Sequence, residues 1–307
     1  IAVGAREARP TEYLYGEDPR VFTHLELDQK FIENDPSLKE INTAVFIQCV
    51  GSREPERPYC SRVCCTHAIE SALHLKEINP DMNIYVLYRD IRTYGEREYL
   101  YRKARLAGIL FIPYALDKKP QVTKTKGGLT IEVIDPLLGQ IVVIKTDLLV
   151  LASAIVPYKD ESLAQFFKVP MNDDGFFVEK HAKLGPSESA TDGVFLCGMA
   201  HYPKPIDESV AQALAASSRA VTLLAKETIQ VSGTVAAVNP VLCSSCGVCI
   251  EICPYSAPSF VEDGPLEGKA KANINPVLCK GCGLCVASCR SGAINLKGFG
   301  TDQIMGM

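Results

Sequence analysis

Apolar and polar positions in residues 41–157 change repeatedly between a strand period and a helix period. The run TAVFIQCV (43–50) is almost continuously apolar, as in a buried strand, and residues 61–78 carry apolar side chains at helical spacing after Ser61, the expected N-cap. The pattern continues with a strand at 83–89, a helix at 96–108 and a strand at 109–114. This alternation predicts an α/β unit.

Residues 129–154 interrupt the alternation with two strands of period two and a third, apolar strand. Such a meander resembles the one in two-dinucleotide-domain flavoproteins such as thioredoxin reductase. Residues 158–230 predict a strand, a loop and an Ala-rich helix with Asp207 as its N-cap. The resemblance implies an NAD(P)-domain-like unit at 41–157, with 1–40 and 158–230 forming the remaining part of an FAD-binding domain.

Residues 231–307 are predicted to form a separate, small α+β domain of the bacterial ferredoxin type, because they contain an internal repeat. The sequence NPVLCSSCGVCIEIC (239–253) recurs 36 residues later as NPVLCKGCGLCVASC (275–289). Each copy has the spacing C-x2-C-x2-C-x3-C, and in two-cluster ferredoxins the fourth cysteine of each run binds the other cluster. Arg290 stands where the usual run continues with proline.

This crossed arrangement predicts two [4Fe–4S] clusters. One is expected on Cys243, Cys246, Cys249 and Cys289, and the other on Cys279, Cys282, Cys285 and Cys253. Structural zinc is the alternative, since thiolates suit zinc as well. Two tandem copies of this particular spacing favour iron–sulfur clusters.

Four further cysteines lie where a Rossmann unit would bind a pyrophosphate: Cys49, Cys60, Cys64 and Cys65. The loop after strand 43–50 has one glycine, Gly51, instead of the glycine-rich fingerprint. A helix N-terminus stabilises thiolates and other anions. The spacing fits no common zinc site, so a third cluster is favoured over four inert buried thiols. The thirteenth cysteine, Cys197, is expected to be a small buried apolar residue.

Composition adds little to this picture but excludes some partners. The 307 residues are 47% hydrophobic and 22% charged, with a formal net charge of −4, which gives no reason to expect nucleic acid as a partner. The apolar runs are too short to span a bilayer, so no transmembrane segment is predicted. Clustered cysteines favour a reducing compartment. We expect a cytoplasmic protein, either free or at the periphery of a membrane complex.

Several motifs together resemble the A-type iron–sulfur flavoprotein subunit of heterodisulfide reductase. They are QCVGSREPERPYCSRVCCTHAIESALHLKE, YRDIRTYGEREYLYRKARLAGILFIPY, GMAHYPKPIDESVAQA and the terminal repeat. The resemblance covers essentially the whole chain, in the order expected for the C-terminal half of that subunit. It implies that Cys49, Cys60, Cys64 and Cys65 hold an unusual [4Fe–4S] cluster near a flavin. It therefore implies three [4Fe–4S] clusters and FAD, without NAD(P).

The flavin site that this resemblance implies is only partly recognisable. No G-x-G-x-x-G occurs, so the main ADP-binding half of the site is expected in sequence missing from this chain. The predicted flavin contacts are Gly4, Ala5, Gly198, Met199, Lys204, Ser209, Val210 and Gln212. For Lys204, a solvated position in the loop is an equally open alternative. The N–H groups of Ser209 and Val210 are expected to point at the flavin from a helix start. His67 is expected to be structural, because four cysteines complete the neighbouring cluster.

Three functions are consistent with these observations. The first is an electron-transfer subunit of a multi-subunit anaerobic oxidoreductase. The second is a flavin-based electron-bifurcating core completed by a missing N-terminal part, against which Glu70 argues, because the resemblance implies a lysine there. The third is a non-enzymatic scaffold or sensor, which the ferredoxin repeat disfavours. The resemblance implies, as partners, the B-type and C-type components of heterodisulfide reductase and an electron donor of the hydrogenase or formate dehydrogenase type. No catalytic residue is predicted.

The chain opens with IAVGA, which is typical of the end of a strand. We therefore expect either a fragment or a natural split subunit, whose partner would include its own N-terminal half.

Overall fold

The computed structural model describes residues 1–125, 127–228, 233–261 and 270–306. Its α-helices are α1 His24–Ile32, α2 Cys64–Ile78, α3 Glu98–Leu106, α4 Glu161–Phe167, α5 Ile206–Leu224, α6 Val248–Glu251, α7 Leu284–Ala287 and α8 Thr301–Met305. Its first strands are β1 Ala5–Glu7, β2 Val21–Thr23, β3 Thr43–Val50, β4 Asn83–Tyr88, β5 Leu110–Pro113, β6 Gln121–Thr125 and β7 Gly128–Asp135. The others are β8 Gln140–Thr146, β9 Leu148–Ser153, β10 Ile155–Pro157, β11 Ala236–Val238, β12 Pro258–Val261, β13 Lys271–Ile274 and β14 Ile294–Leu296.

A parallel sheet in the order β2-β9-β3-β4-β5 confirms the predicted α/β class. Successive side chains of a strand point to opposite faces of its sheet. Phe46 accordingly packs with Leu27 of α1 and Ile69 of α2. Ile47 packs on the other face with Leu129 of β7. The sheet is thus covered on both faces, which accounts for the nearly continuous apolar run in β3.

The sheet that covers the second face is an antiparallel meander in the order β6-β7-β8. The sequence predicted two of its strands, and the structure adds β6. The residues of β6 are mostly exposed, so apolar alternation could not mark this strand. Buried side chains of β7 and β8, such as Ile131 and Ile144, contribute to the core beneath the parallel sheet.

The described residues group into two compact units. The first unit contains the parallel sheet and consists of Ile1–Asp160, Met171–Ser187 and Phe195–Ala216. The second consists of Glu161–Pro170, Glu188–Val194 and Ser217–Met307. In the second unit, β11 pairs with β14 and β12 with β13, each pair antiparallel. A small core there combines Ala257, Ile274 and Ile294 with cysteines of the repeat.

Candidate metal centres

Two cavities in the second unit are each lined by four cysteines. Cavity A is lined by Cys243, Cys246, Cys249 and Cys289. Cavity B is lined by Cys253, Cys279, Cys282 and Cys285. The fourth cysteine of each run lies at the cavity of the other run. The structure therefore brings together the two crossed sets named from the sequence, and their role as cluster ligands stays a prediction.

The two repeats form these cavities through the same local turns. The side chain of Asn239 accepts the N–H of Val241 at 3.0 Å, and that of Asn275 accepts the N–H of Val277 at 3.0 Å. Such Asx turns bend the chain just before the first cysteine of each run. Gly247 then takes the left-handed conformation with φ 79°, which starts the short helix carrying Cys249; the second repeat has the equivalent glycine before α7.

The thiols at these cavities lie in different electrostatic surroundings. Burial raises the pKa of Cys249 and of Cys285. A hydrogen bond from the backbone N–H of Val248 lowers the pKa of Cys246. Among the residues that the structure describes, no three His, Cys, Asp or Glu side chains form a group suited to a single metal ion.

The third group of cysteines lies at the carboxyl end of β3 and the start of α2. The register between β3 and β9 shifts between Ile47 and Val50, so β3 has an extra residue there. Cys49 lies in this bulge with φ +61°, a conformation that is unusual for a residue with a side chain. Bulges reorient side chains and often lie beside functional sites. Here the bulge breaks the regular alternation of β3 at the first of the four thiols.

The four thiols of this group, which we call the β3–α2 thiol site, are Cys49, Cys60, Cys64 and Cys65. They lie close enough together for the other three to affect the pKa of Cys64. A hydrogen bond between the neighbouring thiols of Cys64 and Cys65 raises the pKa of Cys64 and lowers that of Cys65 to about 7. Burial raises the pKa of Cys49. The structure thus brings all four predicted residues into one group.

Helix α2 begins at Cys64, three residues later than the sequence predicted, and this corrects the expected role of Ser61. The helix has no side-chain cap at its N-cap residue, Val63. The hydroxyl of Ser61 instead accepts the N–H of Ile155 at 2.9 Å, so it ties the loop to β10. Among the described residues, the N-cap therefore supplies no side-chain acceptor for the first-turn N–H groups beside Cys64 and Cys65. An uncapped N-terminus of a fifteen-residue helix favours an anionic group.

Arginines add positive charge around the β3–α2 thiol site. The backbone N–H of Arg62 donates to Cys60 Sγ at 3.3 Å, and the guanidinium of Arg53 lies 4.0 Å from Cys49 Sγ. Arg92 also interacts with Cys60 and is paired with Asp90 at 2.8 Å. A cluster held by four thiolates is anionic, and such surroundings stabilise an anion.

Two buried polar side chains beside this site have unpaired atoms within the described part of the chain. Both amide atoms of Gln48, the residue before Cys49, are buried without a hydrogen-bond partner, and so is Nε of Arg89. The other nitrogens of Arg89 donate to carbonyls of the loop, including Arg53 O at 2.8 Å and Cys49 O at 3.4 Å. Buried polar groups normally have a partner. Together with the thiols and arginines, these unpaired atoms fit a site built for a further group.

His67, one turn along α2, forms its side-chain contacts with residues outside the β3–α2 thiol site. Its Nε2 lies 2.8 Å from Asp28 on α1, and its ring stacks on that of His24 at 4.5 Å. Burial lowers the pKa of His67, but hydrogen bonding to Asp28 and nearby acidic charges outweigh that effect and raise it. This contact is consistent with the structural role expected of His67.

The residues predicted to contact a flavin do not all line one cavity. Lys204 and Gln212 line a cavity, here cavity C, together with His201, Glu179 and Arg62. Gly4 and Ala5 follow Ile1, whose amino group donates to Phe195 O at 2.6 Å and whose carbonyl accepts from Cys197 N at 3.2 Å. The chain start therefore lies beside the Cys197–Gly198 segment. Gly198, Met199, Ser209 and Val210 do not line cavity C.

Lys204 is buried, although the sequence left a solvated loop lysine equally open. Its Nζ lies 3.1 Å from His201 Nδ1 and 2.5 Å from Gln212 Oε1. Gln212 Oε1 also accepts the N–H of Gly198 at 3.1 Å, and His201 Nε2 lies 2.8 Å from Glu179. Burial lowers the pKa of Lys204. Sequence reasoning missed His201 and Glu179, although His201 lies inside the GMAHYPKP motif.

The start of α5 corrects a second expectation. The helix begins at Ile206, so Asp207 is in its first turn rather than at its N-cap, and its carboxylate pairs with Arg97. The N–H of Ser209 donates to Pro205 O at 3.0 Å. That N–H is therefore already used by the helix and is not free to bind a flavin. A flavin contact by Ser209 or Val210 stays a prediction, but the N–H of Ser209 cannot provide it.

Comparison with known proteins agrees with the cysteine-lined cavities. Residues 242–293 match the family described as a 4Fe-4S dicluster domain, so the second unit contains an iron–sulfur domain. The chain as a whole is homologous to the A-type subunit of heterodisulfide reductase. It is 39% identical over 286 residues to the second of the A-type iron–sulfur subunits of CoB–CoM heterodisulfide reductase from Methanopyrus kandleri, covering 86% of this chain and 43% of the relative.

Another relative is the A-type subunit of the H2:CoB–CoM heterodisulfide, ferredoxin reductase from Methanothermobacter thermautotrophicus. It is 38% identical over 284 residues, covering 86% of this chain and 42% of the relative. The chain thus spans less than half the length of these curated relatives. Solved structures similar to the chain include thioredoxin reductases from T. acidophilum and Lactococcus lactis, with TM-scores of 0.48 and 0.49, both at 14% identity. They cover 74% and 73% of this chain, and the chain covers 65% of each of them. Within the described residues, no helix is long and apolar enough to cross a membrane.

Proposed function

We propose that this chain is the electron-transferring part of a subunit like the A-type subunit of heterodisulfide reductase, which passes electrons between FAD and three [4Fe–4S] clusters. The observation that carries the proposal is the β3–α2 thiol site. It places four thiols at the uncapped start of the helix that follows β3, where a dinucleotide-binding unit would hold a pyrophosphate. The homology supports this assignment, because the relatives are iron–sulfur subunits of an oxidoreductase.

The residues that would hold the clusters are the three groups of four cysteines. Cavities A and B would take the two clusters of the dicluster domain, and the β3–α2 thiol site would take the third. Bound clusters supply one-electron transfer. The chain contributes thiolate ligands, the short helices that orient them, and the side chains of Arg53 and Arg92, which compensate negative charge at Cys49 and Cys60.

Cavity C is our candidate for part of the flavin site. The buried ammonium of Lys204 is held by His201 and Gln212, and Arg62 joins this cavity to the loop of Cys60. A fixed positive charge beside a flavin favours its reduced, anionic form. We further propose that Gly4, Ala5, Gly198 and Met199 contact the flavin from the neighbouring chain start.

The partners are proposed from the relatives. One relative is named as a component of an H2:CoB–CoM heterodisulfide, ferredoxin reductase, and another as a component of an H2/formate:CoB–CoM heterodisulfide, ferredoxin reductase. Each is the A-type subunit of its complex. We propose that this chain likewise works in a redox complex, with the B-type and C-type components of heterodisulfide reductase and a donor of the hydrogenase or formate dehydrogenase type.

A direct test of the proposal is whether the chain exchanges electrons without hydride. Anaerobic protein reduced by dithionite should lose visible cluster absorbance and then reduce a one-electron dye, whereas NADH and NADPH should neither bind saturably nor reduce the protein. The reason is that the nucleotide position holds Cys49 and its bulge instead of a glycine loop. Micromolar binding of NADH that is lost on Gly51→Asp would contradict the proposal.

A further inference from the structure

The two repeats of the dicluster domain differ at the two positions that follow their first cysteines. Ser244 and Ser245 in the first repeat correspond to Lys280 and Gly281 in the second. The hydroxyl of Ser245 lines cavity A and is buried without a hydrogen-bond partner among the described residues. At Gly281 a Cβ atom would lie 2.4 Å from the carbonyl oxygen of Thr234, so no side chain fits there. Cavity A therefore has a serine hydroxyl that is unpartnered among the described residues, and the equivalent position of the second repeat has no side chain.

The charges beside the two cavities differ as well. Lys271 is buried, and its Nζ donates to the carbonyl of Cys243 at 2.6 Å. No carboxylate pairs with Lys271 in the part of the chain that the structure describes. The equivalent position of the first repeat is Val235, which is apolar. At cavity B, Lys280 is paired with Asp192, so its charge is largely compensated.

The surroundings of the fourth cysteines of the two runs also differ, again with more positive charge and more hydrogen-bond donors at cavity A. Cys289, at cavity A, is followed by Arg290, and its Sγ lies 3.6 Å from the hydroxyl of Ser291. Cys253, at cavity B, is followed by Pro254, which has neither charge nor donor. Cavity B has donors of its own, because Cys279 Sγ accepts the N–H of Ala236 at 3.4 Å and Tyr255 lines the cavity. Positive charge and hydrogen-bond donors thus predominate at cavity A.

Reduction adds one electron to a cluster, so nearby positive charge and donors to its sulfurs stabilise the reduced state and raise the reduction potential. We propose that a cluster in cavity A has the more positive reduction potential of the two, and that Ser245 and Lys271 are the positioning residues that set the difference. The first electron that reaches the dicluster domain then stays at cavity A. This inference rests on the proposed function, since it requires both cavities to hold clusters.

A redox titration followed by EPR spectroscopy on the anaerobic full chain tests the inference. Ser245→Ala and Lys271→Met should each shift one reduction wave to more negative potential, and both should shift the same wave. Iron and sulfide contents should stay at the wild-type value in both variants. Lys280→Met is the matched control at cavity B. It should not move the wave that Ser245→Ala and Lys271→Met shift. Ser245→Ala removes one oxygen atom, so it remains informative if Lys271→Met does not fold.

The outcomes separate this inference from the proposed function. The proposed difference between the cavities is wrong if the protein binds iron but neither variant moves a wave. It is also wrong if Lys280→Met moves the same wave as Ser245→Ala. Neither result contradicts the presence of the clusters. If the wild-type dicluster domain contains no iron, the proposed function itself is wrong, and the inference falls with it.

Discussion

The double substitution Cys64→Ala with Cys65→Ala is expected to lower the iron content by about four atoms per chain, the content of one cubane cluster. Both thiols lie in the first turn of α2, grouped with Cys49 and Cys60 at an uncapped helix N-terminus. Removing two of four ligands leaves too few thiolates to retain a cluster, and alanine cannot replace them as serine sometimes can. Iron and acid-labile sulfide analysis of anaerobic protein measures the loss, and EPR spectroscopy should show one signal fewer after reduction.

The fold should survive this change, because alanine suits a helix and the core below α2 consists of other residues such as Ile69 and Leu75. Cys197→Ala is the matched control, since that thiol belongs to none of the three groups, and it should leave the iron content unchanged. If the double variant keeps full iron and an unchanged reduced spectrum, the four thiols are structural, and the third cluster does not exist.

The crossed arrangement of the dicluster domain predicts a second large effect. Cys253 belongs to the first sequence run but lies at cavity B with Cys285. Replacing Cys253 and Cys285 together by alanine should therefore remove one cluster, about four iron atoms per chain. Replacing Cys253 and Cys249 together instead removes one thiolate from each cavity, because Cys249 lies at cavity A, so both clusters should be altered and both of their EPR signals should change.

The uncrossed arrangement makes the opposite prediction for the same two variants. If each run held its own cluster, the pair from one run, Cys249 and Cys253, would remove one cluster and leave the EPR signal of the other unchanged. The pair from two runs, Cys253 and Cys285, would alter both signals. Both double variants remove two thiols from the same small core, so their effects on folding should be similar. Thermal unfolding of the two variants checks that similarity before their iron contents and EPR spectra are compared.

Sequence patterns were sufficient for the regular parts of this fold. The apolar run of β3 and the helical spacing of α2 reflect burial, which dominates both elements, so their positions could be predicted. The repeat indicated the two crossed sets of cysteines, because a duplicated spacing constrains which residues meet. The 36-residue offset also pairs Ser245 with Gly281, but only the structure shows that the one hydroxyl is unpartnered among the described residues and that the other position has no room for a side chain.

Local deviations could not be predicted, because they depend on tertiary contacts. Ser61 has the side chain of a helix cap, yet its hydroxyl is used by the N–H of Ile155, far away in sequence, and α2 begins later. The bulge at Cys49 depends on the register with β9. The sequence left open whether Lys204 contacts a flavin or lies in solvent, whereas the structure shows it in a buried network with His201 and Gln212.

The central claim is that the chain has three sites for [4Fe–4S] clusters, and the metal content of the wild-type protein tests it most directly. Anaerobically purified full chain, reconstituted with iron and sulfide and freed of unbound metal, should contain about twelve iron atoms and about twelve acid-labile sulfides per chain. About eight of each would contradict the cluster at the β3–α2 thiol site, and zinc as the dominant metal would contradict the account as a whole.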